Sequence, residues 1–515
     1  MEHDTLKKSL YTHFGYNEFR IGQQEIIGEV MRGNDVLGVL PTGAGKSLCY
    51  QLPAKLLPGT TIVISPLISL MMDQVNQLKA NHFKKVTALN SFMNPMEKRQ
   101  IYRELDTYDL IYVSPELLQQ KELIKQLTQI HVALFVIDEA HCISQWGHEF
   151  RPDYLRLSSV IRQLSNPIIM ALSATATKDV QRDIVTSLEH PQMARHIFPM
   201  DRENIIFSVK QVNNDNEKIA ELQTLFNHYS GPALIYFSSR QSAETMAQLL
   251  RGNLPNHRIA FYHGGMEQMD RIAIQQQFMH NQLDIVCCTS AFGMGINKSN
   301  IRFVVHFHLP SQLESYIQEI GRAGRDGKAS LALLFHNKTD QWIPESFIRK
   351  ELPSTQQLTV VFEQLSLLTD PSQTISVTSE FAEMLQLSEI QWRFLHYQLE
   401  KHGMIVDNKL IHDRVIWEKT FMVIQQFVEE RVSIKERKLA EMINWIKENG
   451  CLREHLYRHF QDSYTQPENQ CCSNCGFSLS IFPVVQAVNA DRTSFSWQRK
   501  LQQLLFIGDD HAKST

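Results

Sequence analysis

Cysteine is scarce in this sequence, with eight residues in 515, too few to build a disulfide framework for a chain of that length. Four of the eight crowd between positions 451 and 475, which points to a metal site instead. Long apolar runs are missing as well: nowhere do 18 consecutive apolar residues occur, and the opening stretch MEHDTLKKSLYTHFGYNEF has no apolar run of signal-peptide type. A membrane partner is therefore not expected, and the protein is read as cytoplasmic. Charge of one sign is also lacking, because the formal balance is only −4; that argues against a uniformly basic nucleic-acid coat but leaves room for local basic grooves. What remains is ordinary globular usage, 43% apolar and 21% charged, unlike a largely disordered or collagen-like chain. The length leaves room for roughly three or four domains, each with a core of its own.

Short β-rich apolar runs alternate with longer stretches of helical period through the first 340 residues. TTIVIS (60–65), LIYVS (110–114), VALFVID (132–138) and IIMALSAT (168–175) form one series. ALIYFSS (233–239), IAFYHGG (259–265), LDIVCCTS (283–290), RFVVHFHL (302–309) and SLALLFH (330–336) form a second. Alternation of this kind predicts an α/β fold, two tandem parallel sheets with helices on both faces. Beyond about residue 345 the strand rhythm stops and a mostly helical region follows.

The chemistry begins at VLPTGAGKSLCY (39–50), which follows the β-type run DVLGVL and leads into a helical stretch. Gly43 and Gly45 let backbone N–H groups curl around phosphate oxygens, Lys46 can reach the β and γ phosphates of ATP, and Ser47 can ligate Mg²⁺. The strict phosphate-loop pattern fails at its first position, which is Leu40, so a glycine-rich turn without ligand is the competing reading. Asp138 and Glu139 then stand at the end of an apolar strand, where open α/β sheets place ligand chemistry. Asp138 is expected to hold Mg²⁺ and Glu139 to orient and deprotonate the attacking water.

Together with FGYNEFRIGQQ (14–24), PTGAGKS (41–47), SPLISLMMDQ (65–74), DEAHCISQWGHEFRPDY (138–154), LSATAT (172–177), YHGGM (262–266), FGMGINKSNIRFVVH (292–306) and YIQEIGRAGRDG (316–327), these residues make the chain resemble a RecQ-type DNA helicase of superfamily 2. The resemblance covers roughly residues 1–340. It implies two RecA-like domains, at 1–200 and 201–345, with ATP bound to the first. It also implies that Thr42 shares the phosphate loop, that Tyr16 stacks on adenine and that Arg20 and Gln23 hold the base. Arg322 and Arg325 would reach across the interdomain cleft to the γ-phosphate, Arg325 as the finger, since a guanidinium is always charged and forked. The loop carrying Trp146, His148, Phe150 and Arg151 would couple single-stranded DNA binding to hydrolysis, with aromatic faces for unpaired bases; an aromatic cluster pinning the loop to its own domain is the alternative. One departure is visible: the family usually has Asp where this chain has Asn297.

Cys451, Cys471, Cys472 and Cys475 form C-x19-CC-x2-C, and thiolates are good tetrahedral Zn²⁺ ligands. Neighbouring cysteines need not point the same way, so Cys471 or Cys472 could be idle, with His455 or His459 in its place. The resemblance implies a zinc module built on a helix, here over 431–480, for which CLREHLYRHF is the candidate. The longer relatives carry a winged helix after that module, whereas only about 40 residues follow Cys475 here, so the chain reads as a short, bacterial-like form. Residues 350–430 instead suggest a winged-helix-like insertion, with Ser388 as an N-cap, Trp392, Leu395 and Leu399 at helical spacing, Gly403 as a stop and a β-wing around DNK. The tail, 481–515, holds an amphipathic pattern at Trp497, Leu501, Leu504 and Leu505.

An ATP- and Mg²⁺-dependent helicase acting on single-stranded and forked DNA in recombination or repair is therefore expected, with 3′-to-5′ movement implied by the resemblance. Recombination or replication proteins are conceivable partners. A DNA-stimulated ATPase that anneals or remodels strands, or an RNA helicase, are the alternatives.

Overall fold

In the computed structural model, residues 3–66, 68–90, 93–144, 152–293, 298–368, 375, 379–461, 464, 467 and 470–484 are described. Among them, seven parallel strands build the first sheet: β1 (Val36–Val39), β2 (Thr60–Ile64), β3 (Val86–Leu89), β4 (Leu110–Val113), β5 (Val132–Ile137), β6 (Ile168–Ser173) and β7 (Ala194–Ile197), in the order β3-β4-β2-β5-β6-β1-β7. Six more build the second: β8 (Ile205–Gln211), β9 (Ala233–Tyr236), β10 (Ile259–Tyr262), β11 (Ile285–Cys288), β12 (Phe303–His306) and β13 (Ser330–His336), in the order β10-β11-β9-β12-β13-β8. Central strands such as β5 and β13 are buried along their whole length, which is why they read as unbroken apolar runs.

Three strands carry no such run in the sequence reading: β3, β7 and β8. Each lies at the edge of its sheet. β7, with the sequence ARHI, alternates half-buried and exposed positions, so its strand character comes from pairing with β1 and not from an apolar pattern.

The C-terminal region is helical. Helix Thr355–Ser366 begins with a capping box of Ser354 and Gln357, and helix Glu389–Lys401 with one of Ser388 and Gln391, each satisfying two backbone donors that the first helical turn leaves open. Trp392, Leu395 and Leu399 are all buried in a core separate from those of the sheets. The helix stops before Gly403, whose φ of 77° suits glycine. A two-residue hairpin follows, β14 (Ile405–Val406) and β15 (Lys409–Leu410), turning on Asp407 and Asn408 at φ 49° and 61°. Helix Glu389–Lys401 docks on the first sheet's unit, where Glu400 pairs with Arg156 and Tyr397 lies 5.2 Å from the Arg156 guanidinium.

Asp413 then caps the 33-residue helix Arg414–Ile446 by accepting from the N–H groups of Val415 and Ile416. That helix packs on helix Leu313–Ile320 of the second sheet's unit, pairing Lys438 with Glu314 and setting Trp445 4.9 Å from the ring of Tyr316. One apolar core is continuous from the first sheet through the second to the cysteine module. No helix among the described residues is long and apolar enough to cross a membrane. The amphipathic stretch around Trp497 lies outside the described residues.

Candidate active site and metal cluster

Both sheets face a shared cleft of about 630 Å³, lined by Tyr16, Lys46, Ser47, Asp138, Glu139, Gln318, Arg322 and Arg325 among others. On its first wall the chain leaves β1 and turns through Gly43 and Gly45 at φ 86° and 77°, a left-handed path that side chains with a Cβ rarely follow. Arg20 and Gln23 brace this turn. Arg20 Nη1 donates to the Gly43 carbonyl at 2.8 Å, and Gln23 Nε2 donates to the carbonyls of Ala44 at 2.8 Å and Gly45 at 3.0 Å. Both residues, expected to hold the base, line the cleft and also hold the loop with their polar ends. Tyr16, 57% exposed, sits at the rim with its ring available.

β5 delivers the acid pair. Asp138 is buried, with its N–H donating to the Ile64 carbonyl at 2.9 Å and its Oδ1 accepting from the Glu139 N–H at 3.0 Å. Burial, and then the charge of Glu139, push the Asp138 carboxyl up to about 6, against the opposing pull of Lys46. A buried carboxylate in that condition gains from a cation. Glu139 takes φ 49°, unusual for a residue with a side chain, and its Oε1 lies 3.3 Å from Lys46 Nζ. Its other oxygen is 3.4 Å from His141 Nδ1, which in turn stands 3.1 Å from the Ser173 hydroxyl at the end of β6.

The opposite wall comes from the turn after helix Leu313–Ile320. Thr42 Oγ1 donates across the cleft to the Gly321 carbonyl at 3.0 Å. A Cβ on residue 321 would lie 1.9 Å from that hydroxyl, so glycine lets the two walls meet. Arg322 is buried and donates to the Gly293 carbonyl. The Arg325 stem lies over the phosphate loop, 3.3 Å from where a Gly43 Cβ would stand. Burial, then the charges of Arg322 and Arg202, bring Arg325 down to about 9. Crowded guanidiniums opposite a lysine and a glycine turn form a site for a polyanion. Arg202, in the segment joining the sheets, escaped the sequence reading because no motif or periodicity marks it.

Trp146, His148, Phe150, Arg151 and Asn297 lie outside the described residues. Just past that loop, Tyr154 is buried and its hydroxyl donates to the Asp138 carbonyl at 3.4 Å.

The four C-terminal cysteines converge. Their Sγ atoms all lie within 4.8 Å of one another, Cys451 and Cys471 at 3.6 Å. Four thiolates around a tetrahedral ion with metal–sulfur bonds of ~2.3 Å stand ~3.8 Å apart, so the set fits such an ion. Cys471 and Cys472 both take part. The 472–476 turn closes with the Cys475 N–H on Cys472 Sγ at 3.4 Å and the Gly476 N–H on the Cys472 carbonyl at 2.9 Å. His455, the candidate substitute, pairs with Glu448 at 3.0 Å instead.

Residues 20–183 match the DEAD/DEAH box helicase family, 217–327 the helicase conserved C-terminal domain and 412–476 the RecQ zinc-binding family. Over 504 residues, 98% of each chain, the sequence is 38% identical to the probable ATP-dependent DNA helicase RecS of Bacillus subtilis. The chain belongs to the RecQ family of ATP-dependent DNA helicases. It shares 42% identity over 360 residues with the ATP-dependent DNA helicase RecQ of Haemophilus influenzae, which is 69% of this chain but 57% of that RecQ. The Mycobacterium smegmatis helicase Lhr, solved with single-stranded DNA and AMP-PNP, superposes with a TM-score of 0.56 at 19% identity, over 80% of this chain and 59% of that one; that likeness concerns the fold. The helices and hairpin of 355–410 fall between the second and third matched segments of this RecQ-family helicase.

Proposed function

We propose that this RecQ-family enzyme hydrolyses ATP in the interdomain cleft to move 3′ to 5′ along single-stranded DNA and separate forked duplexes, serving recombination or repair. The observation that carries the reading is the cleft itself, with Lys46 and the Asp138–Glu139 pair on one wall and Arg322 and Arg325 on the other. The glycine turn and Lys46 bind the phosphates. Glu139 takes a proton from the attacking water, with Lys46 Nζ 3.3 Å from its Oε1 to hold the carboxylate in place. Arg325 meets charge developing on the γ-phosphate, an arrangement complete only while both walls touch. Tyr16 offers its ring to adenine.

Ser47 and Asp138 would hold Mg²⁺, which when bound neutralises phosphate charge. The four cysteines would hold Zn²⁺, which contributes folding energy to a module with little core of its own. Loop 145–151 would report DNA occupancy to Asp138 through the adjoining Tyr154 contact.

Strand displacement on DNA and RNA duplexes with 3′ or 5′ tails, run beside ATPase assays, tests the reading. Unwinding of 3′-tailed DNA with DNA-stimulated hydrolysis is expected. Hydrolysis without strand separation, or a preference for RNA, would replace it with one of the alternatives. A metal assay on the intact protein should return one zinc per chain, and none would end the zinc assignment.

A further inference from the structure

The chain crosses from the first sheet to the second through residues 198–204, and a side chain from the cysteine module is fixed onto that crossing. Arg453 belongs to helix Leu452–Tyr457, two residues after Cys451, and is 0% exposed. Its Nη1 donates to the Asp201 carboxylate and to the Arg202 carbonyl at 3.1 Å. Its Nη2 donates to the carbonyls of Ile205 and, at 3.5 Å, Glu203. The Phe207 ring lies 4.8 Å from the guanidinium. Burying a guanidinium is costly, and an apolar side chain of like volume would hold two elements together without that cost. What a fork aimed at three carbonyls within four residues, 202, 203 and 205, adds is a fixed backbone path.

That path ends at the arginine turn. Arg202 donates from Nη1 to the Gly321 carbonyl at 3.0 Å and from Nη2 to the Gly324 carbonyl. Asn204 Nδ2 donates to the carbonyls of Gly324 and Lys328, both at 2.8 Å. Gly321 and Gly324 bracket Arg322, and Arg325 follows at once. The Gly321 carbonyl is also the one that Thr42 of the phosphate loop reaches. The chain of contacts therefore runs from the cysteine cluster to Arg453, from Arg453 to the crossing segment, and from Arg202 and Asn204 to the turn that carries both cleft arginines.

We propose that Arg453 is a positioning residue for ATP hydrolysis: by fixing residues 201–205 it lets Arg202 and Asn204 set the 321–325 turn against the phosphate loop, and it makes that placement depend on an intact cysteine module. The proposal rests on the reading that Arg325 acts on bound ATP. A brace serving the cysteine module alone is the rival, and the two differ in what Asn204 does. Asn204 does not line the nucleotide cleft; its side-chain Nδ2 bonds the turn, and its Oδ1 accepts from Arg202 Nη2 at 3.3 Å.

The test compares wild type, Arg453→Lys, Asn204→Ala and their combination in the full chain. It measures kcat and KM for ATP at saturating single-stranded DNA, Kd for a non-hydrolysable ATP analogue, melting temperature and zinc per chain. Positioning predicts that both single variants keep zinc and bind the analogue within about twofold of wild type, while kcat falls about tenfold or more, since a misplacement near 1 Å can cost ~10²-fold. The double variant should be little worse than the poorer single one, because both act through the same turn. The proposal is overturned if Asn204→Ala keeps kcat within about twofold of wild type, or if Arg453→Lys loses zinc and melting temperature in step with activity. Arg325→Ala run in parallel separates the underlying reading: wild-type turnover in that variant would remove the reading and this proposal together, whereas collapse there with normal Asn204→Ala turnover removes only the proposal.

Discussion

Superposing the strand orders pairs β1 with β8 and β5 with β12, yet the chain leaves each pair in a different way. After β1 it turns through Gly43 and Gly45 and presents Lys46. After β8 it enters helix Asp215–His228, where the Asn214 side chain takes one first-turn donor, the Glu217 N–H at 3.0 Å, and Asp215 and Glu217 add negative charge that repels phosphate from a helix start. β5 ends in Asp138 and Glu139, whereas β12 ends in His306, whose Nε2 lies 2.8 Å from Glu319 inside the domain. One topology thus carries two unlike active edges. On the proposed reading the second sheet acts through what it sends across the cleft, the 321–325 turn, and the working site exists only where the walls touch.

That contrast can be broken residue by residue. The largest effect is expected at the first wall: Glu139→Gln should bind ATP normally and lose about 10³-fold in turnover, as removal of a general base does, measured by steady-state ATPase and nucleotide titration. At the second wall, Arg325→Ala should cost about 10²-fold in kcat with analogue binding little changed. Thr42→Val, which removes the hydroxyl reaching Gly321, should cost roughly 1 kcal/mol, or about fivefold in kcat. A loss confined to KM would place that contact in binding and not in closure. The smallest change is expected away from the cleft, at the half-exposed pair of Arg156 and Glu400. Glu400→Gln should shift the melting temperature by no more than about 2 °C, in keeping with a surface ion pair.

Much of this was legible in the sequence because phosphate chemistry demands particular residues at strand ends: the glycine turn, Lys46, the acid pair and the arginine turn were all readable in the chain and all line one cleft. Less legible was whatever depends on pairing or on long-range contact. β7 stands at a sheet edge with alternating exposure and so needs no continuous apolar run. Arg20 and Gln23 belong to a recognisable motif, but their bonds to the loop's carbonyls arise only in the folded chain. Arg202 and Arg453 lie 251 positions apart and carry no pattern, so their contact had no sequence signal. For the cysteines, spacing left two histidines in contention, and convergence of the four Sγ atoms in space removes them.

On the proposed reading, one catalytic event uses both walls. Its most direct test is the single-turnover hydrolysis rate, at saturating ATP and single-stranded DNA, of Glu139→Gln, Arg325→Ala and the double variant. Groups acting together on one transition state lose their effect together, so each single variant should fall far below wild type and the double should be no slower than the poorer single by more than about threefold. Arg325→Ala turning over at the wild-type rate, or a double variant whose loss is the full product of the two single losses, would show that the two walls act separately.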